Sequence, residues 1–126
     1  MADERYAEEE LSKARRALAD AERLASSGGS DEGTINRLYY AAFHAAQAAL
    51  YDRGIEPSSH GAVRNLFGKE FVLDGSASRE QGRLLTTLAD LRQQADYGYD
   101  PIEADIESLF DRTRSFVESM AEYVDR

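Results

Sequence analysis

The stretch from Asn36 to Gly54, NRLYYAAFHAAQAALYDRG, constrains the fold more than any other part of the chain. Ile35, Leu38, Tyr39, Ala42, Phe43, Ala46, Ala49 and Leu50 recur at i, i+3, i+4, i+7 spacing, which is one face of an α-helix. A second stripe of Tyr40, His44, Ala48 and Tyr51 lies on another side of the same helix. A helix that is apolar or aromatic most of the way round must be covered on more than one side. It is either the central helix of a bundle, or it packs on its own bundle and on a partner. The polar tips of Tyr40, His44 and Tyr51 suit a lined pocket or an interface.

The flanking sequence reads as further helices separated by punctuated turns. Asp3 caps a first helix whose seam is Ala7, Leu11, Ala14, Leu18, Ala21 and Ala25, with Glu4, Glu8, Glu9 and Glu10 near its positive end. Ser26 to Ser30 ends it, and the second helix stops at Gly54 before Pro57. Ser58 or Ser59 caps a third, shorter helix carrying Val63, Leu66, Phe67 and Phe71. After the Asp74-Gly75-Ser76 turn, Ser78 and Gln81 form a capping box for a fourth helix that buries Leu84, Leu85, Leu88, Leu91 and Ala95. Gly98 is its C-terminal cap. Asp100-Pro101-Ile102-Glu103 is a helix-start pattern for a fifth helix carrying Ile102, Ile106, Leu109, Phe110, Thr113, Val117, Met120 and Val124. No segment alternates as a strand does. The expectation is an all-α, antiparallel up-and-down bundle of about five helices.

Composition narrows the function classes. A chain of 126 residues suits a single domain spanning 1–126, and 42% hydrophobic residues allow a core. No apolar run reaches the roughly 18 residues needed to cross a bilayer, and the first residues lack a signal peptide's apolar core. With no cysteine, thiolate metal sites and thiol nucleophiles are excluded. The expected location is cytoplasmic. The net charge is -9, and Lys13 and Lys69 are the only lysines. That balance suits the acidic, lysine-poor proteome of a salt-loving archaeon, and a GC-rich genome would also replace Lys by Arg. In an ordinary cell it argues against non-specific nucleic-acid binding.

The second focus is Leu91 to Asp100, LRQQADYGYD. At about 100° per residue, Arg92 and Tyr99 project within about 20° of each other if the helix runs that far, with Asp96 one turn from Arg92. Gly98 interrupts regular geometry and can re-aim both Tyr97 and Tyr99. Two readings stand: a phosphate-binding group of Arg92, Asp96, Tyr97 and Tyr99, or an i,i+4 ion pair beside half-buried tyrosines. His44 and His60 are each either a base or a structural residue, hydrogen-bonded at an interface or orienting the loop after Pro57. No His-x-x-x-His or Glu-x-x-His spacing supports a metal site, and Ser27-Gly28-Gly29-Ser30 lacks the Lys of a phosphate loop, so no metal or cofactor is expected.

Asn36 to Ala46, Ser59-His60-Gly61-Ala62-Val63, Leu66 to Phe71 and Leu91 to Tyr99, in this order, resemble the small stand-alone HEPN (higher eukaryote and prokaryote nucleotide-binding) proteins. The resemblance runs from the second helix to the end of the chain. It implies a helical bundle of HEPN type, often a homodimer. It also implies a toxin–antitoxin component whose partner is a minimal nucleotidyltransferase antitoxin. Active members are metal-independent RNA endonucleases with an Arg, four to six residues, then a His. Arg92 matches the Arg. The His is absent: Tyr97 stands after four residues and Tyr99 after six. In some members a Tyr two positions beyond the His is adenylylated by the antitoxin, and Tyr99 has that place if Tyr97 replaces the His. The resemblance thus names Arg92, Tyr97 and Tyr99 as catalytic candidates and Tyr99 as the modification candidate. Asp96, Tyr40, His44, Tyr51 and His60 are binding or interface candidates. The function is an RNA or nucleotide-phosphate binder with weak RNA cleavage; the alternatives are a non-catalytic partner of the nucleotidyltransferase and a plain interaction bundle.

Overall fold

The computed structural model describes residues 4–125, and all of the regular structure among them is helical. The order is α1 (Glu4–Ser26), α2 (Asp31–Asp52), α3 (His60–Phe67) running into a π-helical turn (Gly68–Val72), α4 (Arg79–Tyr97) and α5 (Ile106–Asp125). The expected cap Asp3 lies outside the described residues. No helix is long and apolar enough to cross a membrane.

Helix α2 is the central element and packs against α1, α3, α4 and α5. Its primary face is fully committed: Ile35, Leu38, Tyr39, Ala42, Phe43, Ala46, Ala49 and Leu50 are all buried. The second stripe is partly covered from within the same chain: Ala48 is buried, and Tyr40, His44 and Tyr51 are half-buried. Helix α1 lies along it, with Tyr6 6.3 Å from the Tyr51 ring and Glu10 hydrogen-bonded to His44.

Local chemistry sets the helix ends. Ser30, Ser59 and Ser78 each accept a backbone N–H three residues on, from Gly33, Ala62 and Gln81. Gln81 returns a bond to the Ser78 N–H, completing the box. Gly54 takes φ 80°, the left-handed conformation that closes α2, and lets the Ile55 N–H reach the Leu50 carbonyl at 2.9 Å. Gly98 also caps its helix, through an N–H bond to Gln94, but at φ -92°. Its requirement is space, since a Cβ there would lie 2.7 Å from the Gln94 carbonyl oxygen.

The fifth helix starts later than Asp100-Pro101 predicts. Residues 101–105 are not helical, and Asp105 is the acceptor for the Ser108 N–H at 3.1 Å. Ile102 and Ala104 are half-buried while Pro101, Glu103 and Asp105 are exposed. Alternate burial of that kind belongs to an extended segment laid on the core. Docking Ile102 and Ala104 in this way outweighs the first turn of helix that Pro101 could have started. Ala25, expected in the α1 seam, is exposed near the end of that helix.

Candidate functional site

Three helices bring the polar candidates together at one place. Helix α2 supplies Tyr39, Tyr40, Phe43 and His44, the cap at Ser59 puts His60 at the first residue of α3, and α4 supplies Arg92 and Asp96. Tyr39 is the hinge of the group. Its hydroxyl lies 3.3 Å from His60 Nδ1, and its ring carries the Arg92 guanidinium 4.7 Å from the centroid. Arg92 also lies 5.9 Å from the Tyr40 ring and pairs with Asp96 at 3.2 Å. Its Nε is buried and has no hydrogen-bond partner among the described residues. A buried donor left open in this way is costly unless something accepts from it.

His60 packs on Phe43, with ring centroids 4.2 Å apart. Burial pushes the His60 imidazole below its ordinary value, and the charges of Arg92 and His44 push it the same way. His60 is therefore a neutral ring near pH 7, able to accept a proton. Burial raises the Tyr39 phenol, and Tyr40 adds to the effect; Arg92 and Arg64 oppose it without reversing it. Tyr39 is thus a neutral hydroxyl in this range. If His60 Nδ1–H is donated to the Tyr39 oxygen, Nε2 is left with a free lone pair.

A second part adjoins the first across the Tyr40 ring. Arg37 lies 5.2 Å from that ring and is anchored by the neutral Asn36 Oδ1 at 2.7 and 3.1 Å, with no ion pair among the described residues. His44 Nδ1 lies 2.6 Å from Glu10 Oε2. Tyr51, on the same stripe, is half-buried beside Tyr6. Its phenol is raised by burial and then by Glu10. Among the described residues no group of His, Asp and Glu is arranged to hold a metal ion.

Of the residues named from sequence, Arg92, Asp96, Tyr40, His44 and His60 are gathered here. Tyr97 and Tyr99 are not. They are 75% and 102% exposed, and no hydrogen bond or ring contact joins either to Arg92. Helix α4 ends at Tyr97, so the shared face of Arg92 and Tyr99 is never formed. Sequence reasoning missed Tyr39, read as core, and Glu10, read as one of several acids favoured by the first turns of α1. A signal for Glu10 was present: it sits at i+3 from Ala7 and one before Leu11, inside the apolar seam.

Comparison with known proteins agrees with the architecture. The HEPN domain family model matches residues 7–124. A "UPF0332 protein" of Thermotoga maritima is 32% identical over 102 residues, covering 81% of this chain and 76% of its own length. "Putative toxin MJ0605" of Methanocaldococcus jannaschii is 38% identical over 85 residues, 67% of this chain and 63% of its own. "Putative toxin MJ0142" of the same organism is 31% identical over 93 residues, 74% of this chain and 63% of its own. The matches thus span less than two thirds of the length of these two Methanocaldococcus relatives. The chain belongs to the HEPN domain family.

Proposed function

We propose that this chain is the toxin-type half of a toxin–antitoxin pair. In this reading it binds the sugar–phosphate backbone of RNA at the Arg92 patch and cuts it without a metal ion. The observation that carries the reading is the meeting of Arg92 and His60 on the two ends of Tyr39. Arg92, its side chain 26% exposed, brings a positive charge to a phosphate through the part of its fork that Asp96 leaves open. His60, kept neutral, takes the role of base for the 2′-hydroxyl, a role for which a phenol with a pKa of about 10 is poorly matched. The base in this reading is thus His60 and not a residue at the place of the missing His, where Tyr97 stands. The names of the Methanocaldococcus relatives support the toxin role. The expected partner remains a minimal nucleotidyltransferase, for which the exposed Tyr99 hydroxyl is an accessible acceptor of a nucleotidyl group. A homodimer also remains part of the reading: a second copy would cover the exposed Tyr97 and Tyr99 rings at the end of α4.

Single-stranded RNA incubated with the protein in excess chelator tests the reading. Cleavage is expected, with Arg92→Ala slower by about 10²–10³-fold, the usual cost of removing one charge-stabilising donor. Equal cleavage by Arg92→Ala would overturn the site. A second reading, binding without cleavage, is favoured by the Arg92–Asp96 pair, which occupies part of the guanidinium. RNA binding that is lost in Arg92→Ala, with no product at any pH, would select it.

A further inference from the structure

Glu10 and His44 have no part in the reading above, yet they form a device. The Glu10 side chain is only 9% exposed, and its carboxylate lies against His44 Nδ1 at 2.6 Å. Burial alone would push the Glu10 carboxyl up; the His44 hydrogen bond and charge, with Gln47 and Lys13, bring it below its ordinary value. Glu10 is therefore an ionised acceptor, and the 2.6 Å contact makes His44 Nδ1 the donor, leaving Nε2 as the second nitrogen of the ring.

The ring of His44 lines a groove of about 300 Å³ between α1 and α2, together with Lys13, Arg16, Arg37 and Tyr40. Asp20 lines it too, and pairs with Arg23 at 2.9 Å. Arg16 and Arg37 make no ion pair among the described residues, so the groove keeps uncompensated positive charge in a chain of net charge -9. A polyanion is the ligand such a groove attracts. His44 and His60 flank the same two rings: they lie 5.1 and 4.2 Å from Phe43, and 6.2 and 6.0 Å from Tyr40.

We infer that the Glu10–His44 pair is the general acid of RNA cleavage, His44 Nε2 giving a proton to the departing 5′ oxygen and Glu10 acting as its positioning residue. The inference rests on the proposed function, in which His60 is the base. In the step, His60 Nε2 takes the 2′-hydroxyl proton and the 2′ oxygen forms a bond to phosphorus. The bond from phosphorus to the 5′ oxygen breaks, and that oxygen leaves with the His44 proton. The products are a 2′,3′-cyclic phosphate and a 5′-hydroxyl end, and exchange with water restores both rings. The groups facing His44 fit this division. Glu10 stands behind the ring and also pairs with Lys13 at 3.7 Å, Arg16 and Arg37 line the groove with His44, and His60 lies across Phe43. Burial first, and then the charges of Arg92 and His44, disfavour a proton on His60, which suits it to the role of base.

Two substrates separate the roles: a diribonucleotide, whose nucleoside leaving group needs a proton, and a ribonucleoside 3′-(p-nitrophenyl phosphate), whose leaving group does not. His44→Ala should lose about 10²–10³-fold on the diribonucleotide and less than about 5-fold on the aryl ester. Glu10→Gln should show the same selectivity with a smaller loss, and His60→Ala should lose on both. Should His44→Ala fail to fold, His44→Asn keeps a donor for Glu10 while removing Nε2, and carries the same expectation. Equal losses on both substrates would overturn the acid assignment and leave the cleavage reading standing. A wild-type protein inert on both would overturn the two together.

Discussion

Arg53 and Arg92 each lay a guanidinium over two aromatic rings, and their side chains are exposed to nearly the same degree, 22% and 26%. Arg53 lies 3.8 Å from the centre of Phe71 and 5.5 Å from that of Tyr123; Arg92 lies 4.7 Å from Tyr39 and 5.9 Å from Tyr40. Their hydrogen bonding differs. Arg53 donates to the Tyr123 hydroxyl, the Glu70 carbonyl and Ser76 Oγ, and pairs with Asp74 at 2.9 Å. Arg92 has Asp96 and a buried Nε with no partner among the described residues. Burial and stacking are therefore alike in the two arginines. The saturation of the fork sets them apart: Arg53 fastens α2 to the π-helical turn, the following loop and α5, and Arg92 has one ion pair.

The comparison is broken most strongly at Arg53. Arg53→Met should cost about 3 kcal/mol in urea unfolding, because it strands several acceptors at once. RNA affinity measured on the folded fraction should hardly change. Arg92→Ala should do the reverse, with stability within about 1 kcal/mol of wild type. A large loss of stability there would make Arg92 a second fastener.

Glu10 adds a saturated anion on the side of the proposed binding patch. Its folded carboxyl titrates below the unfolded one, so its contribution is present above the unfolded value and fades as pH falls through the folded value. Glu10→Gln should lose roughly 1–2 kcal/mol near neutrality. The gap from wild type should close below about pH 4, near the ordinary Glu value, as read by thermal unfolding across pH. A gap that persists in acid would show that packing, not charge, was lost.

Asp96→Asn sharpens the contrast by freeing the rest of the Arg92 fork. An exposed pair of this kind is worth about 0.2–1 kcal/mol, so RNA should bind roughly 1.5–5-fold tighter by fluorescence anisotropy. Weaker binding would mean that Asp96 orients Arg92 more than it competes for it. The smallest effect is expected at Tyr99. Tyr99→Phe should leave cleavage and stability unchanged, and should abolish any nucleotidyl mass increment gained on co-expression with a nucleotidyltransferase.

The frame was legible because it is written in local chemistry. The periodicity of α2 marked it as central, and Ser59, Ser78 and Gln81 marked helix starts. The α5 start was misread because Asp100 and Asp105 carry the same capping chemistry, and the choice between them is made by Ile102 and Ala104 docking on a surface that exists only after folding. The site was legible as a set of residues and not as an arrangement. Nothing local in the sequence says that His60 and Arg92 meet on Tyr39, since they sit 32 positions apart on different helices. Glu10 stayed hidden because an acid early in a helix already has a sufficient explanation in the helix dipole.

The π-helical turn of residues 68–72 also has a consequence for chain length. It closes with the Leu73 N–H on the Gly68 carbonyl at 3.0 Å, a ring one residue wider than an α-helix makes. Deleting a single residue there would restore the α repeat and swing everything downstream by about 100°. Glu70, Asp74 and Ser76 would leave Arg53 together, and Arg92, downstream on α4, would leave Tyr39 with them, while His60, upstream on the same rod, would keep its place. A single-residue insertion or deletion in this helix thus acts on the fastening and on the Arg92–Tyr39 contact at once, so the chain length between His60 and Arg92 is tied to both.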